Sequence, residues 1–212
     1  MDLLREINER LYEGDQAAVA LLVQRALDGG LSAEDVLQRG LIAGMDKVGK
    51  DFREEILFVP EVLVAAEAMH AGMNVLKPLL DAHGVKRLGR FVIGTVKGDL
   101  HDIGKSLVAM MMEGAGFEVF DLGVDTSAEK FVAAIQKYQP DLLGMSSLLT
   151  STMDEMGTVL EALRQAGLRE RVKVIVGGAP VTEAFAKEVG ADGYAPNASA
   201  AVIKSKELLS LS

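Results

Sequence analysis

The sequence predicts an α/β protein with a helical amino-terminal part and a carboxy-terminal parallel sheet. Residues 1 to about 84 carry apolar side chains at helical spacing, with glycine-containing breaks between the periodic stretches. Beyond residue 90, short apolar runs alternate with amphipathic stretches. That alternation is typical of parallel strands that are covered on both faces by helices. The polar, glycine-containing segment 81–90 separates the two patterns, so we expect domains at 1–86 and 87–212.

Four amphipathic helices with short connections indicate a small four-helix bundle in the first domain. Gly14 interrupts the periodic pattern, Ser32 is suited to cap a helix, and Pro60 is suited to a first helical turn. We expect Pro78 to kink or terminate the last helix, because proline lacks the N–H that a helix interior requires. The predicted helix ranges are 3–11, 17–27, 33–52 and 60–80.

The second domain is predicted to be a flavodoxin-like or Rossmann-like sheet of five parallel strands. The predicted strands are 91–96, 117–121, 141–146, 172–176 and 193–195. The predicted helices are 103–115, 127–137, 152–166, 181–189 and 198–209. Ligands of such sheets bind in the crevice at the carboxyl ends of the strands, so the functional residues are expected in the loops that follow the strands.

The composition narrows the class of protein. The chain has 212 residues, of which 49% are hydrophobic, and a formal net charge of −9. Nucleic acid is not expected as a partner, because its binding requires clustered Lys and Arg. The absence of cysteine excludes disulfides and thiolate metal sites. No apolar stretch approaches the ~20 residues of a membrane span, and no signal peptide is visible, so we expect a cytoplasmic protein with no membrane partner.

The loop after the first predicted strand carries the strongest chemical signal. It places a carboxylate, Asp99, two residues before an imidazole, His101, where the strand 91–96 ends and the next helix begins. An imidazole in this position can bind a metal, and a nearby carboxylate can orient it and raise its basicity. The ordinary alternative is a loop histidine that caps the helix beside an aspartate that bonds the turn.

The spacing Asp-x-His-x-x-Gly, here Asp99, His101 and Gly104, resembles the signature of corrinoid-binding domains. Those domains hold cobalamin with a protein histidine on cobalt. The resemblance implies that His101 is the metal ligand and that Asp99 fixes its tautomer. It also implies that Gly104 allows close approach of the corrin tail or of a neighbouring helix, and that Asp102 and Ile103 take part in cofactor binding.

A second segment, after the predicted strand 141–146, resembles the same family. Ser146 and Leu148 match its Ser-x-Leu motif, and Thr150 belongs to the same segment. The resemblance implies that the dimethylbenzimidazole tail, displaced from cobalt, enters a slot beside this loop. Thr152 lies where relatives similar to methionine synthase have a serine that extends the His–Asp hydrogen-bond chain; the alternative is an N-cap of the following helix.

A third segment, Gly177-Gly178-Ala179, follows the fourth predicted strand and resembles the family's Gly-Gly motif beside the nucleotide tail. Paired glycines let the backbone approach a flat ring without an intervening Cβ. Tyr194 and Ala195, at the end of the last strand, are expected to close the tail pocket.

The helical domain resembles the cap of methionine synthase and of methanol- and methylamine-type corrinoid proteins, on the segment 44–49 and the turn before Pro60. The resemblance implies that Phe58 covers the upper face of the corrin and that Met45 contributes to cofactor binding. The family often has a glycine just before this turn, whereas this chain has Glu54-Glu55. Bundle packing is the alternative role for Phe58.

The function implied by the resemblance is that of a corrinoid protein that carries a methyl group on cobalt. The cofactor would be cobalamin, present as methylcobalamin in the loaded state. The implied partners are a donor-specific methyltransferase, an acceptor methyltransferase that uses tetrahydrofolate or a thiol, and a reductive activator protein. A (β/α)₈ substrate barrel requires roughly 250 residues, so we expect a carrier subunit that is not catalytic alone.

Two other functions share the motif. One is the cobalamin-binding subunit of an adenosylcobalamin mutase, which lacks a helical cap. The other is a cobalamin-dependent sensor, whose DNA-binding form would need a basic module that the sequence lacks. The methyl donor stays open among methanol, methylamines and aryl methyl ethers.

Overall fold

The computed structural model describes residues 3–83 and 87–211. These residues form two compact units, 3–83 with Gly114–Gly116, and Arg87–Glu113 with 117–211. The predicted boundary segment 81–90 includes residues 84–86, which lie outside the described residues. Within the described ranges, no helix is both long enough and apolar enough to cross a membrane.

The first unit is helical, as predicted. Its α-helices are α1 (Leu3–Tyr12), α2 (Gln16–Asp28), α3 (Ala33–Asp35), α4 (Ala43–Arg53) and α5 (Val59–His83). Ser32 caps α3 as its sequence position predicts, because its hydroxyl accepts a hydrogen bond from the backbone N–H of Asp35. Asp15 caps α2 in the same way through the N–H of Ala18.

The predicted helix 33–52 is interrupted by a π-helical segment, Val36–Ile42. The side-chain amide of Asn8 in α1 donates to the carbonyl oxygens of Arg39, at 3.1 Å, and of Gly40. A Cβ on Gly40 would lie 3.4 Å from the Ile7 side chain, so α1 packs tightly against this segment. The tertiary contact with α1 therefore supports a helical form that local propensity does not favour.

The sequence predicts that Pro78 kinks or terminates the last helix. Termination is wrong, because α5 continues through Pro78 to His83. Pro78 is exposed, while Leu76 and Leu80 on either side of it are 0% and 4% exposed. Burial of these two leucines favours the helical path, and the proline removes only one backbone donor from it.

The second unit contains a five-stranded parallel sheet, as predicted. Its strands are β1 (Arg90–Thr95), β2 (Glu118–Asp121), β3 (Leu142–Ser146), β4 (Lys173–Gly177) and β5 (Gly193–Ala195). Its helices are α6 (Ile103–Gly114), α7 (Ala128–Tyr138), α8 (Asp154–Gln165), α9 (Glu183–Val189) and α10 (Ala198–Leu208). Every predicted strand lies within one residue of its observed bounds, because the central strands are buried on both faces and form continuous apolar runs.

The strand order β2-β1-β3-β4-β5 positions the functional site. The chain leaves β1 towards β2 on one side and leaves β3 towards β4 on the other. The connections after β1 and β3 therefore diverge, which opens a crevice at the carboxyl ends of these two strands. The loops that begin after Thr95 and Ser146 meet there, since these two residues are paired in register.

Candidate functional site

His101 lies in the loop between β1 and α6, with its imidazole fixed by Asp99. The ring Nδ1 lies 2.7 Å from Asp99 Oδ1, and the same oxygen accepts the backbone N–H of His101 at 3.0 Å. Asp99 is fully buried, whereas the His101 side chain is 51% exposed. Nε2 has no hydrogen bond to any residue in 3–83 or 87–211. The carboxylate therefore holds Nδ1 and directs the other ring nitrogen outwards.

The second carboxylate oxygen of Asp99 is held by the loop after β3. Oδ2 accepts the backbone N–H of Leu148 at 2.7 Å and the Thr152 hydroxyl at 3.2 Å. Burial by itself would raise the pKa of Asp99. The hydrogen bonds from the backbone of His101, the backbone of Leu148, the His101 ring and Thr152 outweigh burial and lower the pKa from 3.8 to about 2. Asp99 is therefore a stable anion that joins the two loops.

The lowered pKa of Asp99 predicts a specific loss of stability in acid for the cofactor-free protein. Because the folded pKa lies below the unfolded one, the stabilisation is complete above about pH 4 and is lost as the pH falls towards 2. We expect the free energy of unfolding of the wild type relative to Asp99→Asn to fall by about 2 kcal/mol between pH 5 and pH 2. Urea denaturation across this range measures it, and a pH-independent difference would contradict the assigned hydrogen bonds.

Ser147 is a member of this cluster that sequence reasoning missed. Its Oγ lies 2.8 Å from Thr152 Oγ1 and 3.5 Å from Asp99 Oδ2. Both hydroxyls also reach the carbonyl oxygen of Leu149, at 3.1 Å each. Ser147 is fully buried, while Ser146, the residue that the motif selects, is partly exposed. The adjacent serines at 146 and 147 indicated a hydroxyl at this position. Because β3 ends at Ser146, the alternation of side chains along a strand does not predict which of the two faces Asp99.

Thr152 does not cap the following helix. The N-cap position of α8 is Met153, and no side chain caps it. Thr152 is 7% exposed, and its hydroxyl makes hydrogen bonds with Asp99, with Ser147 and with the carbonyl oxygen of Leu149. The capping alternative considered from the sequence is therefore wrong.

Hydrogen bonds of Thr95 and Asp125 also hold the loop that carries His101, and neither residue was predicted from the sequence to have a role. The Thr95 hydroxyl donates to the carbonyl oxygen of His101 at 2.9 Å. Asp125 accepts the N–H of Gly98 through Oδ1 at 2.7 Å, and its own N–H donates to the carbonyl of Asp99 at 3.0 Å. These contacts fix the path of the loop before any ligand is bound.

Gly177, the last residue of β4, and Gly178, which follows it, both lie so close to neighbouring backbone that a side chain would not fit. A Cβ on Gly178 would lie 1.8 Å from the carbonyl oxygen of Ser147, and Gly178 has a φ of +126°. A Cβ on Gly177 would lie 2.7 Å from the carbonyl oxygen of Ala195. The loop after β4 therefore lies at backbone distance from the loop after β3, and the end of β4 lies equally close to the end of β5. Ala195 is buried, Tyr194 is partly buried and Ala179 is exposed.

Exposed apolar side chains lie in the two loops that Asp99 joins. Leu100 and Ile103 are each 72% exposed, and Leu148 and Leu149 are 43% and 40% exposed. No atom lies within 4 Å of a Cβ built on Gly104, so the start of α6 is open. The other predicted residues of these loops, Asp102 and Thr150, are exposed. Several exposed apolar side chains on two adjoining loops, one of which carries an imidazole, are typical of a binding surface for a large, mostly apolar ligand.

Two predicted site residues belong to the helical unit. Phe58, in the loop between α4 and α5, is 62% exposed, which is unusual for a large apolar side chain. Met45 is 3% exposed and packs within α4's buried face. The structure therefore leaves Phe58 accessible to a ligand, whereas Met45 is part of the core.

Comparison with known protein families covers both units. The B12 binding domain matches residues 89–203, and a second B12 binding domain family matches residues 3–77. The dimethylamine corrinoid protein 2 of Methanosarcina acetivorans is 46% identical over 209 residues, which is 98% of this chain and 96% of that protein. The trimethylamine corrinoid protein 2 of Methanosarcina mazei is 40% identical over 98% of this chain and 96% of that protein.

Solved structures are similar over the same length. The methanol:cobalamin methyltransferase complex MtaBC of Methanosarcina barkeri matches with a TM-score of 0.88 and 30% identity, over 99% of this chain and 80% of that chain. A cobalamin-binding protein of Desulfitobacterium hafniense DCB-2 matches with a TM-score of 0.79 and 33% identity, over 97% and 98% of the two chains.

Proposed function

Because this chain belongs to the family of B12-binding corrinoid proteins, we propose that His101 is the protein ligand of its cobalt. The chain binds a corrinoid and carries a methyl group on it, acting with a methyltransferase. The observation that supports His101 is the geometry of its ring: Asp99 holds Nδ1, Nε2 lies on the opposite side of the ring from that contact, and the side chain is half-exposed. A neutral imidazole in that tautomer has its lone pair available for a metal.

The residues present fit a corrinoid. The exposed apolar side chains of Leu100, Ile103, Leu148 and Leu149 would pack against a large apolar ring, and the open position at Gly104 leaves room for it. When bound, the corrinoid supplies a cobalt centre that accepts a methyl group and gives it up. The protein's part would be to orient the His101 imidazole through Asp99, to shield the ring and to present it to partners.

Asp99 and the hydroxyls of Thr152 and Ser147 orient the ligand. The Asp99 carboxylate holds the proton of His101 on Nδ1, and its own position is fixed from the loop after β3 by Leu148 N–H and Thr152. We assign the nucleotide tail to the region between the loops after β3 and β4. The residues proposed to border it are Ser146, Thr150, Gly177, Gly178, Ala179, Tyr194 and Ala195.

Reconstitution tests the assignment directly. The cofactor-free protein, mixed with cobalamin and passed through a gel-filtration column, is expected to elute with a single corrinoid per chain, as measured by cobalt assay. The expectation follows from the single half-exposed imidazole at the carboxyl edge of the sheet. Elution of the chain without cobalt would contradict corrinoid binding at this site.

The partners are proposed to be a donor-specific methyltransferase, an acceptor methyltransferase and a reductive activator. The chain itself is proposed to have no catalytic activity without these partners. Its proposed location is the cytoplasm. Relatives at 40–46% identity are named for dimethylamine and trimethylamine, which favours an N-methyl donor over methanol or aryl methyl ethers. Faster methylation of the bound corrinoid by a dimethylamine-specific than by a methanol-specific methyltransferase would support this preference, and the reverse order would contradict it. The mutase and sensor alternatives are not favoured by these relatives.

Phe58 is proposed to shield the upper face of the corrin. It is 62% exposed on the helical unit, so its ring is free to cover a ligand without repacking the bundle. We expect Phe58→Ala to speed photolysis of bound methylcobalamin while the absorption spectrum of the histidine-ligated cobalamin stays unchanged. Leu21→Ala is the matched control, because Leu21 is 60% exposed on α2 and is assigned no role. Equal photolysis rates in wild type and Phe58→Ala would contradict the shielding role.

A further inference from the structure

The loop that carries Phe58 is an exposed apolar turn with a strained backbone. We call residues 54–58 the tip. Ile56 and Phe58 in the tip are 59% and 62% exposed. Glu55 has a φ of 57°, the left-handed region that a glycine adopts without strain. The tip therefore keeps the turn that a glycine would favour, although no glycine is present, and contacts elsewhere must hold it.

The backbone of the tip is held by the end of α4. The N–H groups of Glu54 and Glu55 donate to the carbonyl oxygens of Lys50, at 3.0 Å, and Phe52, at 3.2 Å. The N–H groups of Ile56 and Leu57 both donate to the carbonyl oxygen of Asp51, at 2.9 and 3.2 Å. The N–H of Phe58 donates to Glu61 Oε2 at 2.9 Å, which begins α5. The position of Phe58 thus depends on where the last turn of α4 holds Asp51.

Asp51 is in turn fixed by α1. The hydroxyl of Tyr12 donates to Asp51 Oδ2 at 2.8 Å, and Lys47 Nζ lies 3.6 Å from the same oxygen. Lys47 Nζ also lies 3.4 Å from the centre of the Tyr12 ring. The hydrogen bond to Asp51 raises the pKa of Tyr12, so its hydroxyl keeps the proton that it donates. The Asp51 side chain is only 14% exposed, so water competes weakly for this bond.

We propose that Tyr12 is a positioning residue that holds the tip, and with it Phe58, through Asp51. The inference rests on the proposed role of Phe58 over the corrin and adds the group that sets its position. Tyr12 lies 46 positions before Phe58 in the sequence. Its effect passes through one side-chain hydrogen bond and two backbone hydrogen bonds.

Amide exchange in the cofactor-free protein tests the anchoring. Tyr12→Phe removes only the hydroxyl, so the helix packing is retained. A net hydrogen bond of ordinary strength changes a local opening equilibrium about fivefold. We therefore expect the amide protons of Ile56 and Leu57 to exchange about fivefold faster in Tyr12→Phe, as measured by NMR. Tyr138→Phe is the control, since its hydroxyl is bonded by Lys137 in the other unit. Exchange rates at Ile56 and Leu57 that equal those of the wild type would overturn the proposal.

Photolysis of bound methylcobalamin tests the consequence for Phe58. Tyr12→Phe is expected to raise the rate part of the way towards that of Phe58→Ala. If Phe58→Ala speeds photolysis and Tyr12→Phe leaves it unchanged, the positioning role of Tyr12 is wrong. If Phe58→Ala itself has no effect, the shielding role of Phe58 is wrong, and the anchoring by Tyr12 is then decided by the exchange rates alone.

Discussion

Cobalamin bound to His101→Ala is expected to show the absorption spectrum of a water-ligated, base-off form in place of the histidine-ligated one. The substitution removes the imidazole whose Nδ1 lies 2.7 Å from Asp99, while the exposed apolar side chains and the tail region stay intact. Binding should therefore weaken without vanishing. Partners that only orient a metal ligand contribute ~10–100-fold in affinity, so loss of the ligand itself is expected to cost about 100-fold or more.

Two variants distinguish the proposed binding of cobalt by His101 from the orientation of His101 by Asp99. Asp99→Asn keeps the imidazole and is expected to retain the histidine-ligated spectrum with ~10–100-fold weaker binding. His70→Ala removes an imidazole in α5 and is expected to change neither spectrum nor affinity. A spectrum of His101→Ala that equals the wild-type spectrum would exclude His101 as the ligand.

Gly178→Ala is expected to cause the largest loss of stability among single methyl additions at the site. The new Cβ would lie 1.8 Å from the carbonyl oxygen of Ser147 and 2.8 Å from its carbonyl carbon, and the φ of +126° is unfavourable for alanine. Both obstacles are backbone atoms, which a side-chain rotation cannot relieve. We expect the free energy of unfolding to fall by about 3 kcal/mol or more, as measured by urea denaturation.

Gly104→Ala is the matched comparison, because no atom lies within 4 Å of its added Cβ. Alanine is also the better helix former, so the free energy of unfolding should stay the same or rise by up to ~1 kcal/mol. Corrinoid affinity should nevertheless fall if the ring edge lies at this position. A stable Gly178→Ala, or a Gly104→Ala that binds cobalamin as the wild type does, would contradict the respective assignment.

The sequence was sufficient to predict the fold because the signals were local. The buried strands are continuous apolar runs, and Ser32 lies at a helix start where its hydroxyl can cap. The predicted end of the helix at Pro78 was wrong because burial of Leu76 and Leu80 stabilises the helix by more than the missing N–H of the proline destabilises it. A rule that considers only neighbouring residues does not include this burial. The π-helical segment Val36–Ile42 depends on Asn8, which is distant in sequence, so no local pattern could have revealed it.

In the candidate site, too, contacts within one loop could be predicted from the sequence, whereas contacts between loops could not. The hydrogen bond between Asp99 and His101 joins residues two positions apart and follows from the motif. Ser147 and Asp125 could not be assigned, because their contacts with Asp99 and Gly98 depend on how two separate loops meet. The glutamate at position 55 replaces the expected glycine, yet the turn survives with a positive φ, since the contacts of the neighbouring residues hold it.

The π-helical segment Val36–Ile42 lets the chain hold one more residue between α3 and α4 than a regular helix would. In a π-helix each hydrogen bond spans five residues instead of four, so the wider turn absorbs the additional residue. In a regular α-helix, which turns by about 100° per residue, the same additional residue would rotate α4 away from α1. The wider turn therefore keeps Gly44, whose Cβ would meet the Leu11 side chain at 3.3 Å, on the face that packs against α1. Deleting one residue from the segment is expected to give a continuous α-helix in which α4 still fits against α1.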